Sequence, residues 1–334
     1  MQIAIVGTFQ TGKSTLTNCL LDDCLAHVGI GLPTTHMLNY YQKSGDADGL
    51  VLCRDKAGRC VRKTSLSAFR KDPRVPPETT WIMHELPDRK CLAGHMLVDT
   101  PGLDSCGVDA STDNKVTADV IQESDCVILV LPNTQLSEPM RKIVLPQIRD
   151  AHKPLIAVMN CMPSGFAAAS ANPKSCQNLN TVCQLGEDLR CEGLFPCRIG
   201  GDGEMPVLPC NVAWWWVSRG RTLEERFLDE QMQEVFDTRR AEVANCFPGR
   251  SVPGNDELAE MSNLAPLVAV LSTPSALQKS AEAAWKRGNP AMGHDQLRSA
   301  LSTRLKARSE PQQVLSPLER LRQDLARQLM SGRR

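Results

Sequence analysis

A chain of 334 residues can hold one large domain or a domain with a smaller companion, and its 38 Lys+Arg against 38 Asp+Glu leave no net field to favour nucleic acid as a partner. No window approaches the ~18 apolar residues that a membrane span needs, and an apolar run that starts at Ile3 leads us to expect no signal peptide and a cytoplasmic protein. The fourteen cysteines are then expected to be mostly reduced and to act as small apolar residues.

The apolar run Ile3-Ala4-Ile5-Val6 predicts a buried strand, and Gly7-Thr8-Phe9-Gln10-Thr11-Gly12-Lys13-Ser14 follows it at once. This is a complete GxxxxGK[ST] loop, whose glycines let successive N–H groups and a helix N-terminus converge on an anion. Lys13 is expected to reach the β- and γ-phosphates of a nucleotide and Ser14 to hold Mg²⁺, with Gly7, Thr11, Gly12 and Thr15 completing the phosphate cradle. A helix from Lys13 to Leu25 is predicted, with Leu16, Leu20 and Cys24 on one face.

Residues Gly29 to His36 read as a glycine-punctuated loop. A nucleotide switch needs a threonine there to complete the metal shell and touch the γ-phosphate; Thr35 is the first choice and Thr34 the reserve. A hairpin is predicted over Leu50–Cys53 and Cys60–Arg62 with its turn at Lys56-Ala57-Gly58, then a short helix near Ser65 to Arg70. Trp81–Pro87 and His95–Val98 read as strands. The second ends in Asp99-Thr100-Pro101-Gly102, where a carboxylate at a strand end would hold Mg²⁺ and the Gly102 N–H would sense the γ-phosphate.

Phosphate loop, Pro33-Thr34-Thr35 and the DTPG turn together resemble the translation-factor class of P-loop GTPases. The wording Gly29-Ile30-Gly31-Leu32-Pro33-Thr34-Thr35, then Gly94-His95-Met96-Leu97-Val98-Asp99 through Ser105, and later Ser124-Asp125-Cys126-Val127, is similar to the GTPase domain of the dynamin superfamily. The resemblance covers residues 1 to about 160. It implies GTP and Mg²⁺ as ligands, a three-layer α/β fold with a mostly parallel sheet and one antiparallel excursion, and a homodimer across the nucleotide face.

Two departures from the family pattern bear on function. At the end of the predicted strand Pro154–Asn160 the family places a guanine-reading NKxD motif, whereas this chain has Asn160-Cys161-Met162-Pro163. Asn160 is retained as a base contact; Pro163 has no side chain able to accept from guanine, so base selectivity rests on analogy. Leu103 stands where Ras-like enzymes carry a water-positioning glutamine. In the dynamin-like class groups of the phosphate loop take that work; Gln10 either orients water or a partner phosphate, or is a solvated loop residue. The resemblance thus gives a slow GTPase, with a degenerate nucleotide-binding switch acting as a protein-interaction module, or an NTPase of relaxed base choice including ATP, as the alternatives.

Cys176, Cys183, Cys191 and Cys197 form the densest thiol group, and four thiolates would satisfy zinc, yet they lack a CxxC knuckle, and Cys176, Leu179 and Cys183 fall at the spacing of helical core residues. Pro206–Ala213 reads as the last strand, and Trp214-Trp215-Trp216 as rings of which at least two pack inward, with a membrane wedge as the alternative. From Thr222, which with Glu225 forms a capping box, the pattern is helical, with an apolar stripe through Leu223, Phe227, Met232, Val235 and Phe236, and Pro266 is expected to interrupt a later segment. Further helices are predicted to open at Thr273-Pro274 and Ser316-Pro317. Residues 1–220 are thus read as the nucleotide domain and 221–334 as a helical region. Nine Lys or Arg against three Asp or Glu from Arg298 onward would suit a protein partner, anionic lipid or plain solvation.

Overall fold

The computed structural model describes residues 1–28, 37–87, 92, 94–102, 110–151, 153–162, 171–199, 205–220, 226–249, 251–273, 275 and 279. Thr34, Thr35, Leu103, Pro163, the Thr222–Glu225 capping box, Leu223 and the helices expected from Thr273 and Ser316 lie outside these residues or extend beyond them.

Nine strands, β1 (Gln2–Gly7), β2 (Leu38–Lys43), β3 (Leu50–Asp55), β4 (Cys60–Ser65), β5 (Thr79–Leu86), β6 (Met96–Asp99), β7 (Cys126–Pro132), β8 (Leu155–Asn160) and β9 (Leu208–Cys210), form one sheet. Their order is β4-β3-β5-β2-β6-β1-β7-β8-β9. The block from β6 to β9 is parallel, so its strands are covered on both faces and read as unbroken apolar runs; β1 and β8 are buried at every position. The antiparallel part is larger than one hairpin: β2 pairs antiparallel with β6 but parallel with β5, and β3 pairs antiparallel with both β4 and β5. Strand β2 was not legible as such, because Tyr40 and Tyr41 are both buried and break the alternation that marks a half-buried strand.

Helices cover both faces. On one, α1 (Lys13–Leu21), α2 (Leu66–Lys71) and α6 (Val212–Ser218) lie over Ile3, Ile5 and Leu97. On the other, α3 (Ala110–Glu123), a π-helical turn Met140–Val144 running into α4 (Leu145–Asp150), and α5 (Cys176–Cys191) supply partners for Ala4, Val6 and Leu129. Among the described residues three more helices follow, α7 (Glu230–Asn245), α8 (Asn255–Met261) and α9 (Ala265–Leu271). Met232, Phe236, Leu267 and Leu271 belong to the same core as Ile3 and Ile5.

Three local expectations are corrected. Helix α1 stops at Leu21, not Leu25: Asp22 takes a left-handed φ of 50°, and the Asn18 side chain captures the N–H groups of Leu25 and Ala26, folding the chain back. Cys176 and Cys183 are exposed, since α5 turns Val182, Leu185 and Leu189 inward instead. Helix α7 begins at Glu230 and is capped by Asp229 Oδ1, which accepts from Met232 N at 2.9 Å. Pro266 starts α9 rather than interrupting a helix, where its missing N–H costs nothing. Of the tryptophans, Trp214 and Trp216 are buried and Trp215 is half-buried against the core, so the rings pack inward.

Candidate nucleotide site

The site forms where β1 runs into α1. Gly7 closes β1, and a Cβ there would stand 2.5 Å from the Val130 carbonyl oxygen of β7, so the neighbouring strand itself demands glycine. Gly12 has φ +91°, and a Cβ would meet Asn160 Nδ2 at 2.5 Å; two separate constraints exclude a side chain. Between them Gln10, exposed, takes a left-handed φ of 60°. The Thr8 carbonyl oxygen accepts from Thr11 Oγ1 at 2.9 Å and from Lys13 Nζ at 3.0 Å, which holds the lysine across the loop. Among the described residues no side chain caps the start of α1, leaving its first N–H groups to whatever enters the loop.

Lys13 is almost fully buried, and burial lowers its pKa to about 8 against the opposing pull of Asp99. Asp99, at the end of β6, is 1 % exposed. Burial raises its carboxyl to about 6, with the Lys13 charge and Ser14 hydroxyl acting the other way. Neither of its oxygens takes a hydrogen bond of ordinary geometry from a described residue. A buried carboxylate left so is costly unless another group, a further residue or a bound cation, completes it. Two orphaned, buried oxygens beside a serine hydroxyl suit a hard cation such as Mg²⁺.

The DTPG turn is pinned to β1, because Thr100 Oγ1 donates to the Ile5 carbonyl oxygen at 2.9 Å. That anchor brings Gly102 against the loop: a Cβ there would lie 3.1 Å from Phe9 Cα and 3.3 Å from Lys13 Nζ. Gly7, Thr11, Gly12, Lys13, Ser14, Asp99 and Gly102 therefore converge. Thr15 is buried on α1.

Asn160 is placed beside the loop, where its side chain acts as a brace. Its Nδ2 donates to the Thr11 carbonyl oxygen at 2.9 Å, and its Oδ1 accepts from Val212 N at 3.3 Å, tying the phosphate loop to the start of α6. Cys161 is fully buried, and burial pushes its thiol up to about 12. Sequence reasoning missed Asn211, which caps α6 through Trp214 N and donates to the Cys161 and Ala171 carbonyl oxygens. The signal was an asparagine directly before the apolar run Val-Ala-Trp.

Residues 2–161 match the family model described as 50S ribosome-binding GTPase. They form a P-loop GTPase domain. No curated protein matches the chain. Among solved structures, the chain is similar to a member of an oligomerised bacterial dynamin pair, at 17% identity and TM-score 0.43 over 78% of this chain and 35% of that one. It is also similar to LeoA, a bacterial dynamin GTPase from ETEC, at 16% and 0.36 over 92% of this chain and 40% of that one. An Era variant from Aquifex aeolicus with GDP and aluminium fluoride stands at 15% and 0.35 over 63% and 50%. The chain spans about a third to a half of the length of these proteins. Likeness this distant carries no argument about activity. Among the described residues no helix is long and apolar enough to cross a membrane.

Proposed function

We propose that the GTPase domain binds GTP with Mg²⁺ and hydrolyses it slowly, using the nucleotide state to move the segment around Thr35. The observation that carries this reading is the Asp99 carboxylate, buried beside Lys13 and the Ser14 hydroxyl with no hydrogen bond of ordinary geometry from a described residue. In it the loop amides and Lys13 grip the β- and γ-phosphates, while Ser14, Asp99 and Thr35 would hold the metal. Mg²⁺ supplies charge neutralisation across those phosphates when bound. Gly102, already against Lys13 Nζ, reports loss of the γ-phosphate by shifting the DTPG turn. Gln10, exposed on the loop, is the candidate to orient water, and a second copy docking on the nucleotide face would enclose it. The helical region after residue 220 is offered as a partner-binding appendage; over 230–271 it is built into the nucleotide domain's own core. A reducing compartment such as the cytoplasm fits the free thiols described.

Hydrolysis of stoichiometric GTP should proceed in a single turnover at a rate on the order of 10⁻³ per second. A protein that binds GTP but never cleaves it in that assay would be an interaction module instead.

A second reading, relaxed base choice, is favoured by Cys161 and Pro163 standing where the family carries its lysine and aspartate, which leaves the base end without those side-chain readers. Losing a paired hydrogen-bonding carboxylate removes up to roughly 10⁴-fold discrimination. Competition of ATP against GTP decides it: affinities within about tenfold favour relaxed choice, and a preference above about 10³ favours a true guanine site.

The pH dependence of Mg²⁺-nucleotide binding should be bell-shaped. Asp99 must be ionised to meet a cation, so affinity falls as pH drops through about 6; Lys13 must be charged, so affinity also falls as pH rises through about 8. Each limb should approach tenfold per pH unit. The nucleotide's own phosphate also titrates at acid pH, so Asp99→Asn is the control. Its profile should keep the alkaline limb and flatten the acid one.

A further inference from the structure

We propose that the outer face of α5 is a thiol interface through which two copies of this chain join, antiparallel, when oxidised by a peroxide. The proposal is independent of the nucleotide site. Three of the four exposed cysteines among the described residues, Cys176, Cys183 and Cys191, lie on this one helix. At 3.6 residues per turn they fall within an arc of about 80°, opposite the buried Val182, Leu185 and Leu189. A rise of 1.5 Å per residue separates them by about 10.5 and 12 Å, too far for any two to bond within one helix.

The spacing is self-complementary. A two-fold axis passing between residues 183 and 184 sets Cys176 of one copy against Cys191 of the other at both ends, and leaves the two Cys183 offset by only about 1.5 Å. Helices at shallow crossing lie about 8–10 Å apart, which with a Cα radius of about 2.3 Å brings facing Cα atoms into the range that disulfides span. Charge does not oppose the pairing. On this face Glu187 is already paired with Arg190, whose Nε donates to Glu187 Oε2 at 2.9 Å. The same two-fold sets Glu187 opposite Asn180 and Arg190 opposite Gln177, so no like charges meet. Each link forms as two thiols give up two protons and two electrons, and one hydrogen peroxide leaves as two waters.

The test is titration of the full chain with hydrogen peroxide, read by non-reducing electrophoresis, light scattering and mass spectrometry of linked peptides. The expected product is a covalent dimer carrying Cys183–Cys183 and Cys176–Cys191 links between copies, reversed by dithiothreitol. Cys60→Ser should dimerise like the native chain, while the triple variant Cys176→Ser, Cys183→Ser, Cys191→Ser should stay monomeric with nucleotide binding intact. A dimer that persists in the triple variant, links running mainly through Cys60, or a native chain that stays monomeric at saturating peroxide would each overturn the proposal.

Discussion

Lys13→Ala should weaken binding of a nonhydrolysable GTP analogue by about 10²- to 10³-fold in a fluorescence anisotropy titration. The lysine is the buried cation nearest the proposed phosphates, and a charge-assisted hydrogen bond contributes roughly 1.5–3 kcal/mol. Two such bonds to phosphate oxygens give the upper part of that range. Removing the charge also leaves Asp99 without the group that holds its pKa down, so the carboxyl should titrate still higher and compete less well for a cation at neutral pH. Both effects act in one direction. In the uncomplexed protein Lys13 Nζ donates one of its three hydrogens to the Thr8 carbonyl oxygen, which leaves two to reach phosphate. An affinity change of less than about threefold, with the circular dichroism spectrum unchanged, would mean that the lysine serves only to staple the loop.

The largest loss of stability is expected from Trp216→Ala, about 3–5 kcal/mol in urea unfolding. The ring is fully buried and stands edge-on to Phe236 of α7, with centroids 5.2 Å apart. It lies in the core that α1, α6 and α7 share with β1, so its removal opens a cavity between the sheet and the C-terminal helices. The fit around Phe236 is close elsewhere too: a Cβ on Gly220 would come within 2.6 Å of its ring, which leaves little slack for collapse around the hole. Trp215, only half-buried, should cost markedly less, about 1 kcal/mol or below. Equal costs for the two would contradict the packing described.

The strands and the phosphate loop were legible because their constraints are local. A run such as Cys126-Val-Ile-Leu-Val-Leu has few homes other than a strand buried on both faces, and the glycines of the loop are fixed by backbone geometry and by the Val130 carbonyl. The convergence of Asp99 and Gly102 on Lys13 followed from motif order. What sequence could not supply were choices made between elements. Asn160 reads as a base contact by position; only the approach of α6 to the loop shows both ends of its amide engaged. Cysteine passes for a core residue or a surface one, and the orientation of α5 was decided by the stronger arc of Val182, Leu185 and Leu189. Helix α1 looked longer because its apolar spacing continues to Cys24; Cys24 is buried all the same, carried inward by the turn that Asn18 organises. Asp229 opens α7 through its own side chain, a cap that the apolar stripe around Met232 and Phe236 did not single out.

Isothermal titration with a nonhydrolysable GTP analogue, with Mg²⁺ and then with excess chelator, bears most directly on the pairing of Lys13 and Asp99. Saturable one-to-one binding that weakens by at least about tenfold without the metal, and that loses this metal dependence in Asp99→Asn, is the predicted result. Binding of equal strength in both conditions, or no saturation in either, would contradict it.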